Sequence, residues 1–131
     1  MNPSYRLTLN KTQAHTALKA IELMLRLKLN QPEEIPFALI LNEEDFCERR
    51  DNAKPLLEAA FNIMYKGRDN TDASWKDAEW YRLYNMYQVL RKAIHDAEHP
   101  DSKGVDSYPP IAFTEEPLPG IETLYEGEDA K

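Results

Sequence analysis

Between Trp80 and Ala97 the apolar side chains recur at alternating steps of three and four: Trp80, Leu83, Tyr87, Leu90, Ile94 and Ala97. That spacing places them on one stripe of a helix. The stripe is rich in large aromatics, which bury the most apolar area per side chain. Arg82, Asn85, Gln88, Arg91 and Lys92 fill the polar positions between them. The pattern predicts the central helix of a small helical domain, capped by Thr71, Asp72 or Ser74 and ending near residues 95–99, before Pro100.

Upstream, Tyr5, Leu7 and Leu9 alternate with Arg6, Thr8 and Asn10, the period of a short half-buried strand. Asn10 and Gln13 form a capping-box pattern, predicting a helix over residues 11–29. Leu18, Ile21 and Leu25 form its seam, whereas Leu23, Leu25, Leu27 and Leu29 nearly encircle its end. Both sides of that turn should be covered, by the core or by a second subunit. Pro32, Glu33 and Glu34 read as a restart. Residues 35–41 form either a short helix or an extended core segment, and helix is the reading taken.

Asn42 can cap a turn or two through 43–50. Asp51 or Asn52 can cap a further helix that begins just before Pro55 and stops at Gly67. Its inward face would be Leu56, Leu57, Ala60, Phe61 and Met64. Beyond Asp101 the four prolines at 109, 110, 117 and 119 exclude helix over most of the tail. Tyr108, Ile111, Phe113, Leu118 and Ile121 remain as spaced anchors. They suggest an extended Pro-rich arm across the helices, pairing with the first strand near 111–113. The fold class is therefore mainly α, with a short N-terminal strand and that arm. Residues 1–121 form a single domain, and 122–131 form a disordered tail.

Composition narrows the function classes. With 131 residues, 42% hydrophobic and 30% charged, the chain can bury a core without disulfides or metal. The net charge of −7, from 16 basic and 23 acidic side chains, argues against non-specific nucleic-acid binding. The lone Cys47 excludes an internal disulfide and a cysteine zinc site, and it points to a reducing cytoplasm. The start lacks a secretory pattern. The most apolar run, 17–29, is broken by Lys19, Glu22, Arg26 and Lys28 and is too polar to span a bilayer.

Few residues carry a chemical signature. His95 and His99 stand at i and i+4, but no third metal ligand accompanies them, and histidines near a helix end favour its negative pole. Glu43, Glu44 and Glu48 resemble the magnesium motif of helical nucleotide pyrophosphohydrolases, but with one residue too many, so the carboxylates would not converge on one ion. Neither pattern predicts a metal, and no cofactor is expected. Arg49, Arg50, Arg82 and Arg91 are candidates to grip a phosphate. Tyr84 and Tyr87 could stack on a base, with Gln88 beside them. The same mixture of aromatic bodies and polar tips suits a protein-binding face. No Gly-rich phosphate loop, nucleophile elbow or catalytic triad pattern is present.

The chain resembles a group of small accessory proteins of tailed bacteriophages. The residues that carry the likeness are Leu7-Thr8-Leu9, the helix from Gln13-Ala14 to Arg26, residues 31–35, the run from Tyr84 to Arg91, and the tail from Glu116 to Glu122. The resemblance implies a non-enzymatic cytoplasmic protein that binds a host protein and counters host defence. One alternative is a sponge for a nucleotide-like immune signal, and another is a metal-dependent nucleotide hydrolase. A homo-oligomer without membrane attachment is expected.

Overall fold

The computed structural model describes residues 3–65 and 76–125. Among them four α-helices form: α1 (Lys11–Lys28), α2 (Glu34–Ile40), α3 (Phe46–Met64) and α4 (Ala78–Glu98). A short 3-10 turn follows at Val105–Ser107. The protein is mainly helical.

Helix α1 is fixed at both ends by local chemistry. The Gln13 N–H donates to the Asn10 carboxamide at 2.8 Å, and the Asn10 N–H donates back to the Gln13 side chain at 3.0 Å. This is the predicted capping box. At the other end Asn30 takes a left-handed backbone, φ 59°. Its N–H donates to the Leu27 carbonyl and that of Gln31 to the Arg26 carbonyl, closing a Schellman motif.

The ion pairs define how α1 and α4 lie. Lys28, at the end of α1, reaches Asp77 (3.0 Å) and Glu79 (3.2 Å) at the start of α4. His15, near the start of α1, meets Glu98 at the end of α4 (2.7 Å). The two helices are therefore antiparallel neighbours. Between those ends Trp80 is buried, and its indole N–H donates to the Leu25 carbonyl at 3.2 Å. Leu25 is itself buried and belongs to the last turn of α1, whose carbonyls have no helical partner. Tyr65, just past α3, donates its hydroxyl to the neighbouring Leu27 carbonyl at 3.0 Å. Helix α2 bridges α1 and α3, with Phe37 and Phe46 rings 5.3 Å apart. Pro36 sits in the first turn of α2, where a missing N–H costs nothing.

Several sequence expectations need correction. Residues 3–10 form no strand: they are irregular, with Tyr5 and Leu7 exposed, and no backbone hydrogen bond joins them to 111–113. A single alternating segment has no edge to pair with, so its period alone cannot make a strand. Residues 43–45 lie in turns, and α3 is one helix from Phe46 through Pro55 rather than a new start beside the proline. Phe61 is buried and Leu57 half-buried, while Leu56, Ala60 and Met64 face outward, so the proposed inward face is split in two. Asp77, not an earlier residue, caps α4 by accepting from the Trp80 N–H at 2.8 Å. The suggested caps at 71, 72 and 74 and the stop at Gly67 lie outside the described residues, as does 126–131.

Candidate peptide-binding face

Helix α4 buries the wrong residues for a simple amphipathic helix. Trp80 and Val89 are buried, but Leu83, Tyr87, Leu90 and Ile94 are only half-buried and Ala97 is exposed. The most covered side chains are amides: Asn85 is 3% exposed and Gln88 6%. Burying an amide is unfavourable unless its hydrogen bonds are met. Here the chain's own C-terminal segment meets them.

The segment crosses α4 in the opposite sense, contact by contact. Asp106 lies 3.8 Å from Arg91, and the Ser107 carbonyl accepts from Lys92 at 3.2 Å. The Ile111 N–H donates to Gln88 Oε1 at 3.0 Å, and the Ile111 carbonyl accepts from Gln88 Nε2 at 2.9 Å. The Phe113 N–H donates to Asn85 Oδ1 at 3.0 Å, while Asn85 Nδ2 donates to the Thr114 hydroxyl at 3.2 Å. Arg82 Nε ends the series with a 2.8 Å bond to Glu116. At three of their four contacts the two amides thus do for the segment what a neighbouring strand would do, bonding to its backbone; the fourth is to the Thr114 side chain.

One side chain anchors the segment. The Phe113 ring packs at 6.0 Å on Tyr81 and at 5.4 Å, edge to face, on Tyr84. Tyr84 is further stacked on Trp80 at 5.2 Å and lies beside Tyr87 at 6.2 Å. Aromatic pairs at these separations attract beyond their buried area. Arg91 lies over the Tyr87 ring, 4.9 Å from its centre. Burial, reinforced by the negative charge of Glu22, raises the Tyr87 phenol above its usual range. Asp96 is held below the usual carboxylate range, first by a hydrogen bond from Lys92 and then by one from His95.

The structure therefore gathers Arg82, Tyr84, Tyr87, Gln88 and Arg91 on one helix, all engaged by neighbours or by the C-terminal segment. Arg49 and Arg50 are not brought to them. They sit on α3, pairing with Asp45 (3.5 Å) and Asp51 (3.0 Å), and Arg50 lies over the Phe46 ring. The four arginines do not converge on one phosphate-sized point. Two open clefts, of about 180 and 240 Å³, lie beside α1 and the turn after it. Both are smaller than the ~300–1,000 Å³ of small-molecule sites. Neither is lined by Arg82, Tyr84, Tyr87, Gln88 or Arg91.

His95 is buried with Nδ1 3.1 Å from Asp96, whereas His99 is the exposed residue that ends α4. Among the described residues no three His, Cys, Asp or Glu side chains gather where they could hold a metal ion. No helix of the described residues is long and apolar enough to cross a membrane. Sequence reasoning missed Asn85 as a functional residue. Its signal was present in the three-residue spacing from Arg82 to Asn85 to Gln88, a polar stripe running beside the aromatics. Compared with protein-family models, curated proteins and solved structures, the chain finds no match in any of the three.

Proposed function

We propose that this chain is a non-enzymatic accessory protein of the bacteriophage type, acting in the host cytoplasm by binding a host protein and so countering host defence. The observation that supports this reading is the pairing of Asn85 and Gln88 with the backbone of Ile111 and Phe113. A helix face whose amides take main-chain groups and whose tyrosines seat an aromatic ring has the chemistry to hold polypeptide, as it holds the chain's own residues 111–113. Residues 108–119 serve on this reading as an extended, proline-punctuated arm that shapes the face. The separation of Arg49 and Arg50 from Arg82 and Arg91 weighs against a nucleotide sponge. The absence of a gathered carboxylate set among the described residues leaves the hydrolase reading without support. The protein works as a homo-oligomer and uses no cofactor.

Native mass spectrometry after incubation with bacterial host lysate, paired with calorimetry against mono-, di- and cyclic nucleotides, tests the reading. A protein-sized mass increment that disappears in a Tyr81→Ala, Arg82→Ala double variant is expected, with no heat from any nucleotide. Nucleotide binding weakened about tenfold or more by Arg82→Ala or Arg91→Ala would overturn it in favour of sequestration, since a charge-assisted contact contributes roughly 1.5–3 kcal/mol.

A further inference from the structure

The segment lying on α4 is a ligand that the chain supplies to itself, and its fit is incomplete. The contacts described above reach Arg82, Asn85, Gln88, Arg91 and Lys92, all on α4. None of residues 105–121 is buried: Ile111 stays 63% exposed and the anchor Phe113 47%. The segment is thus held by its backbone, one half-sunk ring and a charge at each end. One of those ends fits poorly. Only 14% of the Arg91 side chain is exposed, and the nearest Asp106 oxygen stops 3.8 Å from its Nε. That Nε is buried and finds no hydrogen-bond partner among the described residues. A gap of this length is too long for a hydrogen bond, and a buried donor without an acceptor is unfavourable.

We propose that this face is the docking site for an acidic, extended segment of the partner protein, and that residues 106–116 are its built-in competitor. The inference deepens the host-protein reading and rests on it. The chemistry of the occupant follows from what it must satisfy. Any chain that covers Asn85 and Gln88 again has to meet their amides with main-chain groups, as Ile111 and Phe113 do. Tyr81 and Tyr84 require an aromatic ring between them, where Phe113 now sits. Arg82 at one end, with Arg91 and Lys92 at the other, require carboxylates on either side of that ring. In the chain's own segment these stand seven residues before Phe113, at Asp106, and three after it, at Glu116.

The unmatched Arg91 donor gives a partner something to gain. A glutamate at the position of Asp106 reaches one methylene further and can accept from Nε. Against that gain stands the tether. Residues 99–104 join the segment to the end of α4, and so short a linker sets an effective concentration on the order of millimolar.

The test adds a fluorescent peptide of residues 104–118 to the full chain and follows anisotropy. The parent should bind it only near millimolar concentration. A full-chain Phe113→Ala, Glu116→Lys variant weakens the chain's own segment at two exposed positions, so the helical circular dichroism should persist. That variant should bind the peptide at least tenfold more tightly than the parent does. It should bind an Asp106→Glu peptide several-fold more tightly again, and Gln88→Leu added to the variant should abolish both. If the variant folds poorly, isotope-labelled parent with excess unlabelled peptide decides instead: the Ile111 and Phe113 amide signals should shift as the tethered segment is released. A folded variant that binds no better than the parent, or amide signals that do not move, would overturn the docking site. In host lysate, excess peptide should also displace the captured protein. A host protein captured but not displaced would overturn this inference alone, whereas capture of none would overturn the reading beneath it.

Discussion

Gln88 presents to Ile111 the hydrogen-bonding edge of a missing strand. Its amide oxygen takes the Ile111 N–H and its amide nitrogen donates to the Ile111 carbonyl, at 3.0 and 2.9 Å. One side chain on a helix therefore satisfies both main-chain groups of a residue in a segment that begins after the helix has ended. The amide is covered because the segment lies over it, and the segment stays because the amide is there.

Replacing Gln88 with leucine tests that mutual dependence. Gln88→Leu keeps the bulk but leaves the Ile111 N–H and carbonyl without partners. The expected cost is about 1–3 kcal/mol in denaturant unfolding. Limited proteolysis should cut residues 103–118 several-fold faster than in the parent chain. Unchanged stability together with unchanged cleavage would mean that the segment is held elsewhere.

The join between α1 and α4 depends on Trp80. Trp80→Phe retains a ring but removes the donor to the Leu25 carbonyl and part of the buried volume. We expect a loss of about 1–3 kcal/mol, measured by thermal or urea unfolding. Leu90, on the stripe that the periodicity marks as core, is only half-buried. Leu90→Ala should therefore cost less than the ~2–5 kcal/mol of a fully buried leucine. If Leu90→Ala were the more damaging of the two, the centre of the core would have to be placed further along α4.

Acid should loosen the far end of the same helix pair. The hydrogen bond from His15, with its positive charge and that of Lys11, holds the Glu98 carboxyl below the usual carboxylate range despite some desolvation. A carboxyl whose pKa is lowered on folding contributes stability that is present above its unfolded value and is lost as pH falls through the folded one. The melting temperature should therefore decline between about pH 5 and pH 2. The decline should be shallower in His15→Ala, which removes the partner. An identical acid limb in both chains would assign the acid response to other carboxylates.

Local signals carried much of the helical framework. The capping box of Asn10 and Gln13, the restart at Pro32 and the three-four spacing from Trp80 onward act within a few residues, so they can be read one stretch at a time. The candidate face was legible only as a set of residue types. Arg82, Tyr84, Tyr87, Gln88 and Arg91 could be picked out as aromatic and polar groups on one helix, but not as groups already engaged by residues 106–116. Arg49 and Arg50 belonged with them by charge alone, and chain geometry separates them.

The sequence by itself determined that the chain is mainly helical, where α1 begins and ends, and that α4 is the longest helix. Capping geometry and hydrophobic period are short-range properties and dictate those features. Only the tertiary structure decided which faces are covered. It buried Asn85 and Gln88 beneath a segment 23 to 29 residues further along the chain. It also divided the apolar residues of α3 between an inward side and an open one, and left Tyr5 and Leu7 without a sheet to join. Burial depends on what arrives from a distance to exclude water, and no periodicity within a helix specifies that arrival.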